Sequence, residues 1–119
     1  MRAVKRLMLA LSLMVPFASQ ATQQWSSCQT VTGVSNYVAF GNQVVLALSP
    51  GLPCTVPMGI PGGVSFVIGT NGITASNINT FLASALSAYA TGQRVMVYYD
   101  DAACSGLIIS NGGITGQCN

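Results

Sequence analysis

The segment SNINTFLASALSAYATGQRVMVYY, residues 76–99, holds the clearest pattern in this chain of 119 residues. Its first part predicts a helix that Ser76 or Asn77 caps and that ends at Gly92, a residue suited to the left-handed turn after a helix. The residues from Gln93 to Tyr99 alternate and predict a strand. The apolar residues of the helix recur at spacings of three and four, and they predict one core-facing stripe: Ile78, Phe81, Leu82, Ala85, Leu86 and Tyr89.

Four further strands are predicted on either side of this segment. Gly41-Asn42 is a two-residue hairpin signal between the first two, and Gly112-Gly113 indicates a bulge in the last. Residues 49–63 hold four prolines and predict a loop, because proline cannot donate to a strand ladder. Thr30–Phe40 is rich in Val, Thr and aromatic residues, as strands are. The other three predicted strands are Gln43–Leu48, Val64–Ile68 and Leu107–Ile114.

The order of these elements is three strands, one helix and two strands. It predicts a mainly β domain with one helix between strands 3 and 4. A five-stranded Greek-key barrel of the OB type fits this order, and a helix packed across an open antiparallel sheet is the alternative. Because the strand edges carry almost no charged residues to discourage pairing, we expect them to be covered by self-association into a ring.

The first 21 residues have the three parts of a secretory signal peptide. Three of the four basic residues lie in the first six positions, residues 7–18 are almost wholly apolar, and Ser19-Gln20-Ala21 has small residues at both ends. We therefore expect cleavage after Ala21, which leaves a single secreted or periplasmic domain of residues 22–119. The apolar run is too short to serve as a membrane-spanning anchor.

Charged side chains are scarce after the expected cleavage site. Residues 22–119 contain only Arg94, Asp100 and Asp101, and the whole chain has no histidine. One arginine against two aspartates gives the mature domain a net charge of −1, so it has no basic patch for nucleic acid. Because groups that transfer protons are almost missing, we expect a non-enzymatic binding function without a cofactor. The adjacent aspartates predict a solvated turn, with a calcium site as the alternative.

All four cysteines, Cys28, Cys54, Cys104 and Cys118, follow the expected cleavage site. An even number of cysteines in a short exported chain predicts two disulfides. The spacing leaves all three pairings open. A four-cysteine zinc site is the alternative, which the absence of a C-x2-C pair disfavours.

Residues Ala85–Tyr99 resemble the helix-to-strand junction of the B subunits of subtilase cytotoxin and related pertussis-like toxins. The shared features are an aromatic-rich helix end, Thr-Gly-Gln, an apolar alternation and a Tyr-Tyr pair. Trp25 matches a tryptophan of that family, and Thr32-Gly33-Val34 is similar to its Ser-Gly-Val. The resemblance implies a bacterial OB-fold protein that forms a homopentameric ring, binds a cell-surface glycan and, in the toxins, carries a catalytic A subunit.

The resemblance also implies two site residues, Thr32 in place of a sugar-contacting serine and Tyr99 as the second tyrosine of the pair. Arg94 is a third candidate, since its planar guanidinium suits an anionic group; the alternative is an exposed strand start. Because Asp100 and Asp101 would repel a carboxylate ligand such as sialic acid, we expect a neutral or weakly polar glycan. The alternative function is a periplasmic or cell-surface structural or protein-interaction domain without a sugar site.

The chain further resembles a broader set of small exported bacterial proteins that have one cysteine before the third strand and one just after the fourth. In this sequence those positions are Cys54 and Cys104, so the resemblance implies a Cys54–Cys104 disulfide. The preferred pairing also joins Cys28 to Cys118, a cross-link that would tie together the two ends of the domain.

Overall fold

A computed structural model describes residues 22–37, 41–57 and 59–118, and this part of the chain is mainly β with one helix. The expected signal peptide, residues 1–21, and the end of the first predicted strand, residues 38–40, lie outside the described residues. Within the described ranges, no helix has both the length and the apolarity needed to cross a membrane. The elements are β1 (Gln23–Trp25), β2 (Thr30–Tyr37), β3 (Gln43–Ser49), β4 (Val64–Val67), α1 (Ile78–Thr91), β5 (Val95–Asp100) and β6 (Ser105–Asn111).

The six strands form one mixed sheet in the order β1-β5-β6-β4-β3-β2. Neighbouring strands are antiparallel except β4 and β6, which are parallel. The sheet is open, with β1 and β2 at its edges, so the predicted five-stranded barrel is not confirmed. An isolated bridge joins Gln29, just before β2, to Val95 at the start of β5, through backbone hydrogen bonds of 2.7 and 2.8 Å. The beginning of β2 therefore contacts the other half of the sheet.

Strand β1 was not predicted from the sequence. Three residues with two glutamines have neither the composition nor the alternation that indicates a strand. The strand forms because its backbone pairs with the edge of β5, in the register Gln23–Asp100, Gln24–Tyr99 and Trp25–Tyr98. Tertiary pairing thus overrides a weak local preference.

The ring of Phe66, on β4, joins the sheet to the helix. It is fully buried and stacks on Phe81 of α1, with the ring centroids 4.8 Å apart and the planes inclined by 28°. The same ring lies over Gly106 of β6, where a Cβ would overlap it. The absence of a side chain at Gly106 therefore lets one aromatic ring contact β6 and α1 together.

Helix α1 has the predicted extent, but its core-facing side differs from the prediction. The face centred on Ala85 and Ala88 is buried, whereas Leu86 and Tyr89 are 47% and 54% exposed. The prediction that these last two belong to the core stripe is wrong. Because alanine side chains are small, the helix can approach the sheet closely on that face, with Phe81 against the core, and Leu86 and Tyr89 are turned outward.

The predicted turn residues have the backbone conformations that their positions require. Gly92 ends α1 with a φ of 72°. Gly41 and Asn42 have φ angles of 82° and 52°, both positive, as in a tight hairpin turn.

Both expected disulfides are present, Cys28–Cys118 and Cys54–Cys104, with Cα–Cα distances of 5.5 and 5.6 Å. All four cysteines are used in this way, so none remains as a thiolate for the zinc alternative. The first disulfide joins residues 90 positions apart and fastens the segment between β1 and β2 to the end of the chain. The second anchors the proline-containing loop to the turn before β6.

Gly106→Ala should lower the free energy of unfolding by about 1–3 kcal/mol, because the added methyl group meets the Phe66 ring. Gly33→Ala is the matched control: its Cβ would lie 3.5 Å from that of Ala47, an ordinary contact, and we expect a change within about 0.5 kcal/mol. Denaturant unfolding with the disulfides intact measures both. Equal stability of the two variants would contradict the position of Phe66 over Gly106.

Candidate functional site

The three residues predicted to contact a ligand do not form one cluster. Thr32 is exposed at a bulge of β2, between Val31 and Gly33. Arg94 is exposed just before β5, and Tyr99 lies near the other end of that strand. Five steps along an extended strand separate their Cα atoms by about 17 Å. Arg94 and Tyr99 are therefore too far apart to contact the same sugar ring.

Tyr99 is a core residue, with 2% of its surface exposed. Its hydroxyl oxygen accepts a hydrogen bond from Nε2 of Gln24 at 2.8 Å, directly across the pair of β1 and β5. In this structure the Tyr99 hydroxyl fastens β1 to β5. Its contact with a sugar stays a prediction.

Tyr98 lies on the opposite, outer face of β5, away from the core. Trp25 of β1 is its cross-strand partner, with ring centroids 5.2 Å apart and planes inclined by 43°. On the other side, Tyr98 pairs with Ile108 of β6, which is 46% exposed. Trp25 and Tyr98 are half-buried, so each keeps accessible ring surface. We call the line of Trp25, Tyr98 and Ile108 across three strands the aromatic row.

Polar side chains border the aromatic row on the outer face. Gln23 and Asp100 form the next cross-strand pair on one side, and Ser110 pairs with Met96 on the other. Oδ1 of Asp100 accepts the N–H of Ala102 at 2.9 Å, the Asx hydrogen bond of the predicted turn. An apolar surface is thus flanked by an amide, a carboxylate and a hydroxyl group.

Buried polar side chains hold the segment between β1 and β2 in place. Gln29 is 1% exposed; its Nε2 donates to Oγ of Ser27 at 3.0 Å, and its Oε1 accepts the N–H of Gly51 at 2.8 Å. Oγ of Ser26 accepts the N–H of Val97 at 2.9 Å. These bonds give the buried amide hydrogen-bond partners and hold the chain that follows Trp25 against β5.

A cavity of about 160 Å³ between the β2–β3 hairpin and the start of α1 is a second candidate site. Its lining combines asparagine and aliphatic residues, and the cavity shares no residue with the aromatic row. Its main lining residues are Asn36, Asn42 and Asn79, with Val44, Ile68 and Ile78.

The calcium alternative for the two aspartates stays a prediction. Where the structure describes the chain, no group of three or more His, Cys, Asp or Glu side chains is placed to hold a metal ion.

Comparison with protein-family models, curated proteins and solved structures gave no match to this chain. The resemblance to toxin B subunits therefore stays a prediction that rests on the residues quoted above.

Tyr99→Phe should lower the free energy of unfolding by about 0.5–1.5 kcal/mol, because it removes the acceptor of the Gln24 amide and keeps the ring. Tyr98→Phe is the matched control on the outer face, and we expect a change of less than about 0.5 kcal/mol. Denaturant unfolding of both variants tests this assignment. A larger loss from Tyr98→Phe would show that the two tyrosines have been assigned to the wrong faces.

Proposed function

We propose that this chain is an exported, non-enzymatic binding module that holds a neutral or weakly polar glycan on the aromatic row. The observation that carries the proposal is the contact between Trp25 and Tyr98 on the outer face of the sheet. A pyranose ring has an apolar C–H face and a rim of hydroxyl groups. Tryptophan and tyrosine match it, because each has a large apolar ring and one polar group at its edge.

The polar side chains beside the aromatic row would orient the bound sugar by hydrogen bonds to its hydroxyl groups. The Gln23 amide can both donate and accept hydrogen bonds. The Ser110 hydroxyl donates to the carbonyl oxygen of Gly113 at 3.0 Å, so towards a ligand it acts as an acceptor, as does the Asp100 carboxylate. A hydrogen bond to an ionised carboxylate is stronger than a neutral one, so Asp100 is the group expected to select the position of a hydroxyl. This pattern of an apolar surface with a few placed polar groups is typical of small-ligand sites.

The distribution of charge supports a neutral ligand. Asp100 borders the row and Asp101 follows it, whereas Arg94 lies at the opposite end of β5. An acidic sugar would meet like charge without a nearby cation. The scarcity of side chains that transfer protons supports binding rather than catalysis.

The same proposal includes an OB-type fold, export from the cytoplasm and a homo-oligomeric ring. Helix α1 follows the third and precedes the fourth of the five predicted strands, and the Gln29–Val95 bridge links the first of them to the fourth. Both features support an OB-type arrangement, to which β1 adds an edge strand. The two disulfides support a secreted or periplasmic location. The open edges of β1 and β2 support a homo-oligomeric ring.

A second function, a structural or protein-interaction domain of the periplasm or cell surface, is favoured by a different observation. Leu86, Tyr89 and Ile114 are each about half exposed, in addition to the two open sheet edges. Exposed apolar side chains of this size suit protein contacts.

Trp25→Ala and Tyr98→Ala should each weaken glycan binding about tenfold or more, since truncating a central aromatic contact typically costs at least about 1.4 kcal/mol. A glycan array of the mature protein identifies the tightest ligand, and calorimetry then gives its affinity for each variant. Tyr89→Ala removes a more exposed aromatic ring, on α1, and should leave the affinity unchanged.

Asn79→Ala separates the two candidate sites. Binding that is lost in this variant, and kept in Trp25→Ala and Tyr98→Ala, would place the ligand in the asparagine-lined cavity and contradict the aromatic row. An array without binding, together with a defined oligomer by native mass spectrometry, would favour the protein-interaction function.

A further inference from the structure

The expected cleavage site immediately precedes a backbone nitrogen that contacts a carboxylate. The N–H of Thr22 donates to Oδ1 of Asp101 at 2.9 Å, and the N–H of Asp101 donates to the carbonyl oxygen of Thr22 at 3.1 Å. This reciprocal pair lies just beyond the Gln23–Asp100 pair, at the junction of β1 and β5. The first residue of the expected mature chain is thus fixed against Asp101.

We propose that Asp101 is the binding site for the new amino terminus that cleavage after Ala21 creates. A signal peptidase hydrolyses the Ala21–Thr22 peptide bond with one water molecule, which leaves a carboxylate on Ala21 and an amine on Thr22. The amine takes up a proton at neutral pH. The neutral N–H that contacts Asp101 thereby becomes an ammonium group, and the hydrogen bond becomes an ion pair. This proposal rests on the proposed export and cleavage, and not on sugar binding.

Asp101 is the aspartate placed for this role. Oδ1 of its neighbour Asp100 already accepts the N–H of Ala102. Arg94, the one cation of residues 22–119, lies at the opposite end of β5 and does not compete for the Asp101 carboxylate. The other titratable groups on the strand packed against β1 are Asp100, Tyr98 and Tyr99.

The ion pair would stabilise β1, the strand that carries Trp25 of the Trp25–Tyr98 contact. Strand β1 has only three residues and lies at the edge of the sheet. The Gln24–Tyr99 hydrogen bond fixes its middle, and the Thr22–Asp101 pair fixes its beginning. Cleavage would therefore stabilise the pairing of β1 with β5, and with it the position of Trp25, in the mature protein relative to the precursor.

The pH dependence of stability has a definite sign. The Asp101 carboxylate favours the charged amine, so the pKa of the Thr22 α-ammonium group should lie above its ordinary value of about 8. A group with a raised folded-state pKa contributes stability that is complete below the unfolded pKa and disappears as the pH rises through the folded one. The contribution of the pair is therefore present at pH 6.5 and lost in the alkaline range.

The experiment uses the full chain, produced with its leader in a host that exports it. Amino-terminal sequencing and intact mass should show a chain that begins at Thr22. Asp101→Asn should lower Tm by about 2–4 °C at pH 6.5 and by less than about 1 °C at pH 10. Asp100→Asn is the matched control, and its effect on Tm should be the same at both values of pH.

A mature chain that begins at another residue would overturn the proposal at its first step, and the glycan measurements would be unaffected. The mature chain could begin at Thr22 while Asp101→Asn lowers Tm equally at both values of pH. That result would contradict the ion pair. NMR titration of the Thr22 amine in the unsubstituted protein gives an independent reading. A pKa above that of a free amino terminus supports the pair, and an ordinary pKa contradicts it.

Discussion

The attachment of residues 22–29 to the edge of β5 is the constraint on which the candidate site depends. This segment has little strand propensity, and it is held by backbone pairing, by the Gln24–Tyr99 hydrogen bond and by the buried Gln29. The Cys28–Cys118 disulfide adds a covalent tie to the far end of the chain. Without these bonds Trp25 would have no fixed position beside Tyr98, and the outer face would carry an isolated tyrosine.

The side chains of β5 alternate between the buried face and the outer face of the sheet. Val95, Val97 and Tyr99 fill the core, where Phe66 lies over Gly106 and stacks on the helix. Met96, Tyr98 and Asp100 lie on the other face, where the aromatic row and its polar neighbours are. The packed face supplies rigidity and the open face supplies the surface for a ligand. A rigid support matters for a weakly interacting ligand, because little binding energy is available to order the site.

The sequence predicted those features that have strong local signals. The helix boundaries follow from apolar spacing and from Gly92, and the hairpin follows from Gly41-Asn42. The resemblance to small exported proteins led to the correct Cys54–Cys104 pair. Other features depend on tertiary contacts that have no local pattern. These are strand β1, the parallel pairing of β4 with β6, and the rotation of α1 that exposes Leu86 and Tyr89. Alternation placed Tyr98 and Tyr99 on opposite faces, but only the packing of β1 and the core shows that Tyr99 is the inner one.

The chain has a single tryptophan, so its one indole N–H resonance reports directly on the aromatic row. The central claim is that this row, on the outer face of β1, β5 and β6, is where the protein holds its ligand. The most direct test is an NMR titration of the mature protein with the tightest glycan found on the array. We predict a saturable shift of the Trp25 indole resonance at the same ligand concentrations as calorimetric binding. Saturable binding that leaves this resonance unmoved would contradict the account.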